Sequence, residues 1–266
     1  MAIPFCLFLA WHQLINVPDG KTHLSFLDVG QGDSELIVSP SGKRILIDGG
    51  PDLTTLEQLG SHLDFFNRRI DLLILTHPHL DHIASFPAIL KRYDIGQVLM
   101  SGVDYNQPRY AHMLAEMNAQ KIPLLRSEPG HTIDIGDGLI FDMLWPPPDA
   151  FGTYHSNPHD EVVVLRARFK NHSALFTGDL EQRYEGKIIA SGLDIHADIL
   201  KIGHHGSLTS TSTGFLIAVH PDLAIISVGK ANLFGHPKQA ILDRLTHFGI
   251  PTKRTDRDGT IDVVWE

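Results

Sequence analysis

One stretch constrains this chain more than any other: Thr76-His77-Pro78-His79-Leu80-Asp81-His82. Its three histidines and one aspartate fall within six positions, directly after Asp71–Thr76. That preceding run is continuously apolar, the kind that forms a strand buried on both faces. A turn leaving such a strand aims His77 and His79 at one metal ion and swings Asp81 and His82 towards a second. Imidazole and carboxylate are fitting ligands for zinc, and also for manganese or iron. The alternative, a polar strand-to-helix turn with incidental histidines, does not account for the density of the cluster. The single cysteine, Cys6, excludes an intramolecular disulfide and a cysteine-rich site, so any ligands must come from carboxylates and the 17 histidines.

The surrounding pattern mixes strands and helices in both halves of the 266 residues. In the first half, Leu24–Asp28, Glu35–Ser39, Arg44–Asp48, Asp71–Thr76 and Val98–Ser101 read as strands, with helices over Ile83–Tyr93 and Arg109–Gln120. In the second, Leu139–Leu144, Val162–Phe169, Ser173–Thr177, Asp198–Ile202, Leu223–Val228 and Ile261–Val264 read as strands. Helices follow at Glu181–Ser191 and Lys238–His247, and Phe215–Val219 ends another. Pro123–His131 reads as a linker between halves, and Pro146–Pro158 as a second loop that its three consecutive prolines keep irregular. Two packed sheets with helices outside, and chemistry along one edge, suit this order.

The first fifteen residues are apolar but fall short of the roughly 20 needed to span a bilayer, and they lack the basic start of a secretory signal. They read as the end of a transmembrane helix or an interfacial anchor, with a buried core segment as the alternative. Residues 1–20 are thus a hydrophobic N-terminal segment and 21–266 the folded domain. A formal charge of -9 argues against a module that reads DNA sequence through a basic face. It does not exclude an enzyme that cuts nucleic acid, because bound cations reverse the sign of an acidic site locally.

His77–His82 resembles the HxHxDH signature of the metallo-β-lactamase superfamily, with all four positions intact. That resemblance implies a four-layer αββα sandwich and two divalent metal ions, zinc or manganese. It implies that Asp48, ending an early strand, orients a ligand histidine, against a simple turn aspartate before Gly49-Gly50. It makes Asp179 a carboxylate bridging both metals, against an N-cap for the following helix. His205 is the preferred last ligand, with His204 kept as the alternative. Adjacent residues leaving a strand point oppositely, so one of the pair is expected at the metal. The separate histidine common between HxHxDH and the bridging aspartate lacks a motif here. His112, His131, His155 and His159 lie in that interval, and His159, just ahead of a strand, is the best placed.

Three more segments narrow the resemblance. Phe26–Ser34 (FLDVGQGDS), Lys201–Ser207 (KIGHHGS) and Ser227–Pro237 (SVGKANLFGHP) are similar to the blocks of the ComEC family, competence proteins of the DNA-uptake channel, in their C-terminal domain. The family's Asn-x-x-Ser pattern is replaced here by His159-Asp160-Glu161-Val162, with Asn157 nearby. The resemblance implies a nuclease that degrades the strand not imported, with DNA as substrate and a membrane channel domain as neighbour. It also implies a membrane-associated, extracytoplasmic position. Asp81 would orient the nucleophile, while Lys201 or His236 would neutralise phosphate. His236 is equally readable as a cap ahead of the Lys238–His247 helix, and Gln31 and Asp33 as parts of a structural turn. A cell-envelope phosphodiesterase or phosphorylcholine esterase, a small-molecule hydrolase, and a non-catalytic module that guides DNA are the competing readings.

Overall fold

The computed structural model describes residues 18–64, 67–148, 152–154 and 157–266. The hydrophobic N-terminal segment therefore lies outside the described residues from its start through residue 17, as does His155. Among the described residues no helix is long and apolar enough to cross a membrane.

The first half builds β1 (Thr22–Phe26), β2 (Glu35–Val38), β3 (Arg44–Ile47), α1 (Thr54–His62), β4 (Arg69–Ile70) and β5 (Leu72–Ile74). It continues with α2 (Leu80–Ile83), α3 (Phe86–Arg92), β6 (Asp94–Ile95), β7 (Val98–Met100), α4 (Pro108–Ala119) and β8 (Leu124–Arg126). The second half supplies β9 (Thr132–Gly136), β10 (Leu139–Trp145), β11 (Val164–Phe169), β12 (His172–Phe176), α5 (Gln182–Ala190) and β13 (Ile199–Lys201). It ends with α6 (Thr213–Val219), β14 (Leu223–Ile226), α7 (Gln239–His247), β15 (Thr252–Arg254), α8 (Thr255–Asp258) and β16 (Ile261–Trp265).

Two seven-stranded sheets result, in the orders β16-β1-β2-β3-β5-β7-β8 and β15-β14-β13-β12-β11-β10-β9, with β4 and β6 as a separate parallel pair. Each sheet is antiparallel on one side and parallel on the other, switching at β3–β5 in the first and β12–β13 in the second. The expected αββα sandwich is what the chain forms. Ile45, Ile47, Leu72 and Ile74 face Phe141, Leu165, Phe176 and Ile199 between the sheets. The intervening Leu46, Leu73 and Leu75 turn outward under Leu59, Phe86, Ile89 and Met113 of the first helical layer. Leu175 and Leu200 do the same under Ile188, Phe215, Ile241 and Leu245. Alternate residues go to opposite faces and both faces are covered, which is why these strands read as unbroken apolar runs.

Two expectations need correction. The helix expected over Ile83–Tyr93 is two pieces, α2 and α3, and Pro87 opens the second because it has no N–H to continue the first. The linker expected at Pro123–His131 contains β8, paired parallel to β7 from Val98↔Leu124 to Met100↔Arg126. β9 follows as the opposite edge of the other sheet. Leu124 is exposed, so this edge carries no strong apolar signal. The N-cap of α5 is Glu181, which leaves Asp179 free of that task.

Candidate metal centre

Every strand that feeds this centre from its carboxyl end is parallel to a neighbour: β3, β5, β12 and β13. Strand ends at a switch of sheet direction leave a crevice that loops from both sheets can enter. Asp48 follows β3, the His77–His82 turn follows β5, Asp179 follows β12, and His204 and His205 follow β13. His159 arrives on a short 3₁₀ turn, Pro158–Glu161, where its own amide donates to the Asn157 side chain at 3.2 Å.

These loops bring two clusters together around one carboxylate. In the first, His77 Nε2 lies 3.1 Å and His159 Nε2 2.8 Å from His79 Nδ1. Asp179 Oδ2 is 3.7 Å from His77 Nε2 and 3.5 Å from His159 Nε2. In the second, Asp81 Oδ2 stands 3.3 Å from His205 Nε2 and 3.9 Å from His82 Nε2. The other oxygen of Asp179, Oδ1, is 3.5 Å from His82 Nε2 and 3.7 Å from His205 Nε2. Within each cluster the ligand-type atoms all lie within 4.8 Å of one another. Asp179 thus gives one oxygen to each.

The outer nitrogens of the second cluster are already spoken for. Asp48 accepts the Thr76 amide at 2.8 Å, the Thr76 hydroxyl at 2.5 Å and His82 Nδ1 at 2.7 Å. His205 Nδ1 donates to the Ser227 carbonyl at 2.9 Å. Fixing Nδ1–H on the outer side aims Nε2 of each ring into the site, the nitrogen that a cation would take once its proton leaves. His82 Nε2 and Asp179 Oδ1 are buried and make no hydrogen bond among the described residues. Orphaned buried groups of this kind are costly, and a cation between them would satisfy both. The donor set fits divalent metal.

The charges point the same way. Burial, reinforced by His82, holds His77 well below the usual histidine range, and burial with His159 brings His79 down to about 4. Both are neutral at pH 7 and ready to ligate. Burial also acts against charge on His82, but Asp48, Asp179 and Asp81 outweigh it and hold this ring well above its usual range. His205 is likewise raised to about 10, burial being overcome by Asp179 and Asp33. An excess of carboxylates keeps protons on the second cluster that a metal would displace.

The sequence profile of the Metallo-beta-lactamase superfamily matches residues 27–230. The chain belongs to that superfamily. It is 32% identical over 256 residues to ComE operon protein 3 of Bacillus subtilis, covering 90% of this chain and 32% of that protein. To Competence protein ComA of Neisseria gonorrhoeae it is 30% identical over 250 residues, covering 92% of this chain and 32% of the other. The chain therefore spans about a third of the length of these relatives. A shorter match, 36% over 97 residues, is to Endoribonuclease YSH1 of Kluyveromyces lactis, covering 34% of this chain and 13% of that one. Among solved structures, the metallo-beta-lactamase fold protein YhfI of Bacillus subtilis superposes with a TM-score of 0.60 at 13% identity. That likeness covers 91% of this chain and 100% of the other, and it shows the shared fold.

Within this superfamily member, several residues sit where sequence reasoning did not put them. His204 and His205 do not alternate off a strand: both adopt positive φ, 48° and 53°, in a tight turn. Both side chains therefore reach Asp179, with His204 Nε2 3.7 Å from Oδ2 on the outer side beside His159 and Glu181. Lys201, expected near phosphate, is buried instead: its Nζ is ion-paired with Asp33 and also donates to the Gly178 carbonyl. Asp33 itself is fully buried beneath the second cluster, with Oδ1 3.3 Å from His205 Nδ1. Gly32 permits this approach, since a Cβ there would lie 2.3 Å from the Asp81 carbonyl oxygen. His236 caps nothing, because the N-cap of α7 is Lys238. Its ring stands 5.9 Å from that of His204, and burial followed by His205 lowers it to about 4. His112 is exposed on α4, and His131 pairs with Glu128 at 3.4 Å away from the centre.

Proposed function

We propose that the chain is a two-metal phosphodiesterase that cuts DNA. The observation that carries this reading is the division of Asp179, one oxygen to each cluster, which suits two cations acting on one phosphoryl group. On this reading His77, His79 and His159 hold one divalent ion, Asp81, His82 and His205 hold the other, and Asp179 joins them. Zinc and manganese are the ions whose ligand preferences fit. When bound, such a pair makes a water-derived nucleophile available at neutral pH and offsets charge on phosphoryl oxygens.

The chain's own residues prepare that chemistry. Asp81, with a third of its side chain open to solvent, is the carboxylate positioned to orient an incoming water. Asp48 and the Ser227 carbonyl hold the ring orientation of His82 and His205. His204 and His236, both lowered by burial and therefore neutral at pH 7, each have an N–H to offer a phosphate oxygen on the open side. Lys201 compensates Asp33 from below and takes no part in binding substrate on this reading.

DNA is the proposed substrate because a relative matching most of this chain is named for competence, and a more local one for endonucleolytic activity on RNA. A neighbouring membrane channel domain, an extracytoplasmic position and an anchoring role for residues 1–20 belong to the same proposal. Cleavage of labelled single- and double-stranded DNA with manganese or zinc, comparing the chain with Asp81→Ala, tests it. Metal-dependent cutting that vanishes in the variant is the expected result. Turnover of bis(p-nitrophenyl) phosphate without DNA cutting would instead favour the envelope phosphodiesterase. Salt-sensitive DNA binding without any turnover would favour the guiding module.

A further inference from the structure

The acidic balance of the chain leaves a question for a DNA enzyme: what attracts a polyanion to a surface with net charge -9? The loop from Lys230 to Lys238 stands apart from that balance. Its sequence, Lys-Ala-Asn-Leu-Phe-Gly-His-Pro-Lys, holds two lysines and no acidic residue. At its tip Leu233 is 99% exposed and Phe234 63% exposed. A single exposed apolar residue is ordinary, but two adjacent ones on a basic loop at the rim of a polar site are not.

The loop is also held firmly. Asn232 Nδ2 donates to the Gly229 and His236 carbonyls at 2.9 and 2.8 Å, and its Oδ1 accepts the His236 amide at 2.8 Å. Lys238 Nζ donates to the Phe234 carbonyl at 2.6 Å. The start of the loop is tied to the Gln31 side chain, 3.1 Å from the Gly229 amide. Its end is tied to the turn that carries His204 and His205, through the Lys238 amide and the Gly206 carbonyl at 2.9 Å. Phe234 is therefore fixed relative to the metal centre. Its ring stacks on His236 at 5.8 Å and 24°, His236 meets His204 at 5.9 Å, and His204 meets His159 at 4.6 Å. A row of rings runs from solvent to the first cluster.

We propose that Leu233 and Phe234 form a stacking platform for an unpaired base of single-stranded DNA, with Lys230 and Lys238 beside its phosphates. Aromatic faces flanked by cations hold single strands without reading sequence, because every base has a face to stack. An already stacked Phe234–His236 pair offers its outer face to the next ring, and the row leads the attached backbone towards the site. Attraction through stacking does not require a basic surface, which resolves the conflict with the charge of the chain. The inference rests on the nucleic-acid reading above, and its test is independent of cleavage.

Binding of the metal-loaded chain to a fluorescent phosphorothioate oligothymidylate, which resists hydrolysis, is measured by anisotropy beside an abasic strand of equal length. Phe234→Ala is expected to weaken oligothymidylate binding roughly 10-fold, within the range that one stacked base supplies. The abasic strand should bind wild type and variant alike, and Phe234→Trp should restore the loss. Equal affinity of the wild type for both strands, an equal loss on both in Phe234→Ala, or no rescue by tryptophan overturns the platform. If the stacking pattern appears but unmodified DNA is not cut, the hydrolytic reading fails and the platform stands. If DNA is cut without the pattern, the platform alone fails.

Discussion

Replacing Asp48 with asparagine should separate the two halves of the centre. Thr76 contributes two donors to Asp48 and His82 a third, with the Thr76 amide at 2.8 Å on Oδ1 and His82 Nδ1 at 2.7 Å on Oδ2. Asparagine keeps one oxygen. If the Thr76 amide retains it, the new NH₂ group faces His82 Nδ1, and two donors cannot face each other. His82 must then carry its proton on Nε2, the nitrogen turned towards Asp81 and Asp179. A ring in that tautomer donates and cannot ligate. Restoring the ligating tautomer sacrifices a buried hydrogen bond, about 1–3 kcal/mol. That agrees with the roughly 10- to 100-fold loss of metal affinity typical for removing such an outer partner. Asp48 also leads the carboxylates that keep His82 protonated without metal, so proton release on metal binding should fall by about one per chain. Calorimetric zinc titrations in buffers of different ionisation enthalpy read both quantities. The expected outcome is one ion retained by the His77–His79–His159 cluster, a weakened second ion and a smaller proton release. Two ions bound with unchanged affinity and unchanged proton release would refute the reasoning.

Other outcomes follow from the same geometry. His205 is raised to about 10, so its contribution to the metal-free fold is fully present below its ordinary pKa of about 6.5 and is lost as pH rises through about 10. Thermal melting of metal-free protein should therefore fall across that window, and saturating zinc should remove the fall; a flat apoprotein profile contradicts it. Lys201→Met leaves buried Asp33 only the His205 and His82 rings as counter-charges, which should cost up to about 3–5 kcal/mol. A melting temperature lower by roughly 10 °C is expected for a chain of this size, and an unshifted one counts against the role given to the pair. Gly32→Ala sets a Cβ against the Asp81 carbonyl, so metal analysis should find the second ion depleted while circular dichroism stays native-like. Full metal content would contradict that close approach.

The sandwich was legible because strands such as β3, β5 and β14 are covered on both faces and so lie in apolar runs. The edges were less so. β8 and β15 bury none of their side chains fully and each exposes one, which leaves no apolar run to read. In the centre, the His77–His82 cluster announced itself through density alone. His159 did not, because it hangs from a 3₁₀ turn capped by Asn157, and no strand or helix period marks such a turn. The expectation that only one of His204 and His205 could face the centre came from strand alternation, which ends before the positive-φ turn begins. Lys201 beside two histidines looked like a phosphate ligand because its true partner, Asp33, stands 168 positions earlier. Pairings of that range are a property of the fold and leave no local trace.

Asp179 has a mechanical consequence beyond chemistry. His77, His79, Asp81 and His82 hang from the first sheet, while His159, Asp179 and His205 hang from the second. An ion held by both would fasten position 77 to position 179 and close a loop of about 100 residues, the span over which a covalent bridge removes ~5 kcal/mol of unfolded-chain freedom. With Cys6 as its only cysteine, the chain cannot make such a fastening within itself from sulfur. The metal pair would then serve as the rivet between the two leaves of the sandwich, and a chelator would loosen the hinge in the same act that empties the centre.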